Sequence, residues 1–219
     1  MKILGCVQPT YVPWYYFFYR IIIADIFVIL DDVQYSKNNS FNRNKILNMD
    51  KEILLTVPVN FENNNQKINE IKIDYSKNWR RKHWMSICQS YAKSKYFNDF
   101  SEGLEMIYKK KFDKLINLNL EIIYFFLDYF RIEKKIYLSS DIKINGTGNE
   151  KLINLCKYFE ADNFIVKKNT ENYHPIELFK EQDIQFKYIE YDQVQNDNKL
   201  NFKPDISIID YACYNKNLT

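Results

Sequence analysis

The apolar positions of this chain fall into short runs, and their spacing changes character several times along its length. Ile3 to Val7 is an unbroken apolar run of strand length. Pro9 and Pro13 end it, since proline suits a turn or the first turn of a helix. Apolar and aromatic residues then continue to Ala24, which predicts a helix, and Ile26 to Leu30 predicts a second strand. Glu52 to Val59 reads as a third strand with Pro58 near its end, and Ile68 to Ile73 as another that can pair with it. From Trp79 the spacing turns helical: Trp84, Ile87 and Tyr91 fall on one face. Further helices are predicted over about 97–110 and 114–130, the last with Leu115, Leu118, Ile122, Phe125 and Tyr129 as its apolar stripe. Beyond it, Lys135–Leu138, Asn163–Val166 and Ile184–Tyr188 read as strands. Glu150–Phe159 and Pro175–Glu181 read as helices between them, and a final helix is predicted within Ile206–Tyr214. Thr147 or Asn149 is placed to cap the helix that starts near Glu150.

Strands alternating with helices predict an α/β fold of three layers, with a mainly parallel sheet and a helical insertion at about 79–132. No internal repeat or low-complexity linker interrupts residues 1–219, so the pattern predicts a single domain. The composition agrees: 46% hydrophobic and 27% charged residues are ordinary values for a globular chain. A net charge of +3 with lysine spread along the sequence argues against a dedicated binder of a nucleic acid duplex. The longest apolar run, Tyr15 to Ile23, is broken by Arg20 and too short to span a bilayer. No basic-plus-apolar leader precedes the first strand, so the expected location is the cytoplasm. Cys6, Cys88, Cys156 and Cys213 lie far apart with no CxxC pair or histidine at ligand spacing, which predicts reduced thiols and no metal site.

Candidate chemistry concentrates after the first two strands. Gln8, Tyr11 and Trp14 follow the first. Asp31, Asp32, Gln34, Tyr35, Lys37, Asn42, Arg43 and Asn44 follow the second, with hardly any apolar filler. Polar loops at strand ends are how open α/β sheets build ligand sites. Asp31 and Asp32 suit a metal, a ribose or a substrate amine, although adjacent strand residues point to opposite faces. His83 lies among Arg80, Arg81 and Lys82. Cationic neighbours lower a histidine's pKa and favour the neutral ring that accepts a proton. Ser139 and Ser140 have neither a nearby histidine nor a Gly-x-Ser-x-Gly elbow, which disfavours a serine hydrolase. Gly146-Thr147-Gly148 lacks both the Walker and the dinucleotide spacing and reads as a plain helix start. His174 precedes Pro175 at another helix start.

Several of these residues form a specific pattern: Gln8-Pro9-x-Tyr11-x-Pro13-Trp14, Ala24-Asp25-x-Phe27-Val28, Val33-Gln34-Tyr35-x-Lys37 and Asn42-Arg43-Asn44. It continues with Leu55-Thr56-Val57-Pro58-Val59, Trp79-Arg80-x-Lys82-His83-Trp84, Ser139-Ser140, Gly148 with Leu152 and Cys156, and Ser207-Ile208-Ile209-Asp210. The pattern resembles the WbqC-like family of bacterial proteins over practically the whole chain. The resemblance implies a product of a surface-polysaccharide (O-antigen, lipopolysaccharide) gene cluster and a transferase that adds a glycyl or other acyl group to an amino sugar. One departure stands out. Members carry a glycine-rich loop after the strand equivalent to Asn163–Val166, whereas residues 167–173 here contain no glycine.

On that reading His83 takes the proton of a nucleotide-linked amino sugar as its amine attacks an activated carbonyl, with Asp31 as the second catalytic candidate. Lys37, Arg43 and Arg81 grip the diphosphate, and Tyr11, Trp14 or Tyr35 stack on base or sugar. Gln8, Asp32, Gln34, Asn42, Asn44, Ser139 and Ser140 complete the binding set. The acyl donor stays open between acyl-CoA, a carrier-bound acyl group and an aminoacyl donor, with no bound cofactor required. Two other readings share the fold: a non-catalytic nucleotide-sugar binder, and an ATP-dependent ligase or nucleotidylyltransferase-like enzyme. The second lacks its usual His-x-Gly-His pattern, because Val12-Pro13-Trp14-Tyr15 stands there instead.

Overall fold

The structure, a computed structural model, describes residues 1–168, 173–189, 203 and 205–218. In chain order it contains strand β1 (Ile3–Val7), helix α1 (Tyr15–Ile23), β2 (Ile26–Ile29), β3 (Arg43–Asn48), β4 (Lys51–Thr56), β5 (Val59–Asn60) and β6 (Lys72–Ile73). Helices α2 (Trp79–Tyr91), α3 (Phe97–Lys109) and α4 (Leu115–Tyr129) follow, occupying the predicted helical insertion. The chain continues with β7 (Ile136–Leu138), α5 (Ser139–Ile142), α6 (Gly148–Tyr158), β8 (Asn163–Lys167), α7 (Ile176–Lys180), β9 (Gln185–Ile189) and α8 (Ile208–Tyr214). Two compact units result: Met1–Gln8, Tyr19–Leu30 and Lys134–Asn201 form the first, and Pro9–Phe18, Asp31–Glu133 and Phe202–Thr219 the second.

The first unit is the three-layer α/β part. Its five-stranded sheet runs β7-β2-β1-β8-β9 with every neighbouring pair parallel. Side chains alternate across each strand, so Leu4, Cys6, Val28, Phe164 and Val166 face one side. There they pack against Leu152, Leu155 and Cys156 of α6 and Phe179 of α7. On the other side Gly5 faces Phe27, Ala24 and Ile165. A β-carbon at Gly5 would come within 3.0 Å of the Phe27 ring, so the close approach requires glycine or a shift of its neighbours. The order reverses between β1 and β8, which makes that pair the topological switch point of the sheet.

The second unit is held by the β3–β4 hairpin, paired from Arg43↔Thr56 to Asn48↔Lys51, and by helices α2, α3, α4 and α8. Met49, at the hairpin turn, has the left-handed backbone such a turn demands. Phe18, Phe100, Tyr129 and Phe130 surround Phe126 at ring-centroid distances of 5.9–6.5 Å.

Several expectations need correction. The hairpin strand β3 replaces the loop expected at Asn42-Arg43-Asn44, where Asn42 and Asn44 donate to the backbone carbonyls of Val57 and Val12. Of Ile68–Ile73, only Lys72–Ile73 is a strand, and it pairs with β5; Ile68–Glu70 is a 3-10 turn. The buried stripe of α2 is Trp79, His83, Ile87 and Tyr91, spaced by four, with Trp84 beside it rather than on it. Thr147 occupies the N-cap position of α6, but its side chain makes no capping hydrogen bond. Of the glycine-free loop 167–173, residues 169–172 lie outside the described residues. No helix among the described residues is long and apolar enough to cross a membrane.

Candidate functional site

The turn after β1 places Tyr11 in the second unit, and its conformation is unusual. Val12, a β-branched residue, has φ 43°, a region that costs on the order of 1–3 kcal/mol and persists only where the surroundings impose it. Asn44 supplies part of that constraint, since its Nδ2 donates to the Val12 carbonyl at 2.6 Å. The Tyr11 amide donates to the Ser40 carbonyl, and Asn42 exchanges bonds with Val57 through backbone and side chain. Tyr11 is thereby aimed inward, where its hydroxyl lies 2.9 Å from Nδ1 of His83 and 2.6 Å from the hydroxyl of Tyr108.

His83 is 6% exposed, and burial lowers its pKa to about 4, partly offset by a hydrogen bond to the Thr56 backbone. The cause is therefore desolvation, not the cationic neighbours expected from sequence. Arg80 turns away and donates through Nη1 to the carbonyls of Lys109 and Lys110 at 2.8 Å each, closing the C-terminal end of α3. Arg81 and Lys82 are exposed. With a ring N–H committed to Thr56, Nδ1 is the acceptor. Tyr11 therefore donates to His83 and receives the hydroxyl proton of Tyr108 in turn. Burial also raises the pKa of Tyr11 and Tyr108, so both hydroxyls stay protonated.

Tyr108, itself buried, is the member of this network whose side chain borders an opening. It lines a cleft of about 330 Å³ with Asn78, Arg80, Arg81, Trp84, Glu105 and Lys109. Lys109 pairs with Glu105 at 2.9 Å, whereas no carboxylate among the described residues pairs with Arg81. Sequence reasoning missed Tyr108 and the cleft. Tyr108 sits in an ordinary amphipathic helix, and nothing local distinguishes it from a core tyrosine.

Tyr11, Asn42, Arg43, Asn44 and His83 thus meet around one hairpin, with Thr56 opposite Arg43 in register. Tyr35 belongs to the same neighbourhood: it packs on Phe41 and Phe61, and burial raises its pKa against the opposing pull of Arg43. Lys37 lies 4.5 Å over the Phe61 ring, and Gln34 donates to the Asn64 carbonyl at 2.6 Å, both at the exposed surface. Asp31 is buried and accepts from Asn69 at 3.2 Å, while Asp32 is half-buried. Trp14 is half-buried and bridges to Ser207.

The remaining predicted residues belong to the first unit. Val7, Ile29 and Leu138 stand in one row of the parallel sheet, so Gln8 and Ser139 both follow the carboxyl edge. Gln8 is exposed, Ser139 is buried, and Ser140 is half-buried in the first turn of α5. His174, before α7, meets Asn149 Oδ1 through Nδ1 at 2.8 Å, and burial lowers its pKa. All four cysteines are free thiols, and burial pushes those of Cys156 and Cys213 up to about 12. Among the described residues no group of His, Cys, Asp and Glu is arranged to hold a metal ion.

With fold and site in view, comparison with known proteins places the chain. The family model described as the WbqC-like protein family matches residues 8–217, so the chain belongs to that family. The uncharacterized protein Rv1507c of Mycobacterium tuberculosis is 30% identical over 214 residues, covering 96% of this chain and 92% of the relative. No solved structure matches.

Proposed function

We propose that this protein is a transferase that acylates the amino group of a nucleotide-linked amino sugar, by glycyl or another acyl transfer, in the cytoplasmic assembly of a surface polysaccharide. The observation that carries the reading is the cleft. Arg81 and Lys109 supply cations for phosphate and Trp84 a ring for the base or sugar, while Tyr108 ties the cleft wall to the Tyr11–His83 network through its buried hydroxyl. In this reaction the amine nitrogen attacks the carbonyl carbon of the acyl donor, the bond from that carbon to the donor's leaving group breaks, and the amine's proton departs with that group. The strained Val12, held by Asn44, supports the same view, because strain of this kind clusters at functional sites.

Asp31 as a catalytic candidate, and Lys37 and Arg43 as binding residues, stay in this proposal, but all three lie outside the residues that line the cleft. The burial of His83 specifically favours a second reading, a non-catalytic binder of nucleotide sugars. A ring at 6% exposure with a pKa near 4 is a weak base beside the value near 7 that general-base catalysis prefers. One experiment separates the two. The purified chain is incubated with nucleotide-linked amino sugars and acyl-CoA, acyl-carrier or aminoacyl donors. The sugar product is followed by mass and sugar binding by calorimetry. Acyl gain by the sugar, lost in Tyr108→Phe, supports the transferase. Binding without mass gain under every donor gives the binder, and no binding at all overturns both.

A further inference from the structure

The spread of lysine along the sequence conceals an uneven distribution in space. Two stretches, 72–82 and 109–114, together carry nine Lys and Arg against two Asp, in a chain whose net charge is only +3. The fold of the second unit brings them side by side. Arg80 donates to the carbonyls of Lys109 and Lys110, and the Tyr75 hydroxyl both donates to the Phe112 carbonyl and receives the Phe112 amide. Arg80 and Lys111 lie over the Tyr75 ring at 5.2 and 5.8 Å, and Lys72 bridges to Lys114. Of the cations gathered here, Lys109 pairs with Glu105 and Lys110 with Glu121. Lys77, Arg81, Lys82 and Lys111 are exposed, with no ion pair among the described residues.

A phosphorylated small molecule needs two or three of these charges, and the surplus points to an extended anionic partner. What kind of partner follows from the apolar residues among them. Met85 of α2 and Met106 of α3 are 56% and 53% exposed. Met85 stands one turn from Arg81 and Lys82, and Met106 one turn from Lys109 and Lys110. Cations flanking protruding apolar side chains match a bilayer interface, where the charges meet anionic headgroups and the apolar chains enter the acyl boundary. A nucleic acid backbone would reward the charges and leave the methionines in water.

We infer that this face of the second unit, from the start of α2 to the end of α3, docks the protein on an anionic membrane surface. The face shares Arg81 and Lys109 with the cleft described above, and its test reads no activity, so it can fail or succeed whatever the cleft binds. The full chain is mixed with vesicles of phosphatidylcholine alone, or of phosphatidylcholine with phosphatidylglycerol, and bound protein is separated by flotation. Binding to the anionic vesicles only is expected, and half-molar salt should abolish it because charges at that ionic strength are screened within a few ångströms.

Each surface cation contributes about fivefold to such binding, so Lys82→Glu with Lys111→Glu, both outside the cleft lining, should weaken it about 25-fold or more. Met85→Ser with Met106→Ser should weaken it severalfold while leaving the salt dependence intact. Circular dichroism establishes that each variant is folded. Lack of binding to anionic vesicles at low salt overturns the inference. Equal binding to neutral vesicles, or indifference to the methionine pair, overturns it as well. Tighter association with duplex DNA than with the vesicles, measured by anisotropy at the same salt, would reassign the face to nucleic acid.

Discussion

The two units differ in how their buried polar groups are connected. In the first, the sheet and its helices enclose Leu4, Val28, Leu155, Phe164 and Phe179, and the predicted polar residues Gln8 and Ser139 come only where strands end. In the second, polar groups penetrate the interior: Tyr11, His83 and Tyr108 form one chain of hydrogen bonds, and Tyr91 and Asp210 form another. An apolar core tolerates variation in shape as long as it stays filled, whereas a buried polar network fails when one member is lost, because its partners cannot find water. A core built around such a network therefore gives up tolerance for a fixed arrangement of donors and acceptors. That arrangement is what a binding site requires.

The comparison can be broken at its apolar end first. Leu155→Ala in the first unit should cost about 2–5 kcal/mol and Phe126→Ala in the second about 3–5 kcal/mol, measured by urea unfolding. Both sites are fully buried, so a small loss at either would show that the surrounding packing collapses around the cavity.

Acid tests the buried network of the second unit next. His83 has a folded pKa of about 4, below its ordinary value, so the unfolded chain binds the extra proton between about pH 6.5 and 4. Stability is then unaffected above that window and falls by about 3 kcal/mol as pH drops through it. His83→Gln keeps a hydrogen-bonding amide of similar reach without the titration and should flatten this part of the profile. An unchanged acid limb in the variant would show that other groups govern it.

Tyr11→Phe should cost about 1–3 kcal/mol, because the Tyr108 hydroxyl and the His83 ring both lose their partner. The same substitution should cut any ligand affinity of the cleft, since Tyr108 would then be free to turn its proton outward. Thermal melting and calorimetry check the two effects separately.

The smallest effect is expected at Asp210. Burial raises its pKa above the ordinary carboxylate value, while the Tyr91 hydroxyl at 2.9 Å pulls the other way. The folded state therefore holds its proton to higher pH than the unfolded one, so this group favours folding more as pH falls through the folded pKa. At neutral pH it carries a standing cost. Asp210→Asn keeps an oxygen for Tyr91 and removes that cost, so stability at neutral pH should stay within about 1 kcal/mol of the parent or rise. A loss much larger than that would mean the charge itself is needed.

How legible each part was follows from what carries its signal. The parallel sheet was readable because its strands are apolar runs bounded by turns, and α3 and α4 because their stripes repeat at helical spacing. Strand β3 was not, since Arg43, Asn44 and Lys45 look like a loop until one sees that Asn44 serves the Val12 carbonyl. The stripe Trp79, His83, Ile87, Tyr91 is present in the sequence at a spacing of four, but a histidine beside two arginines and a lysine signals chemistry more strongly than it signals burial. Tyr108 carries no local mark, and its importance lies in a partner 97 positions away.

Time of synthesis gives the C-terminal contacts a further meaning. The Ile208 amide donates to the Pro13 carbonyl, Trp14 bridges to Ser207, and the Tyr15 hydroxyl donates to the Leu218 carbonyl. The aromatic run Tyr15-Tyr16-Phe17-Phe18, buried in the finished fold, leaves the ribosome long before α8 exists. At roughly 5–20 residues per second it waits roughly 10–40 s for its cover. During that interval it is a sticky nascent segment, and the yield of folded protein should depend on chaperone supply more steeply than on final stability.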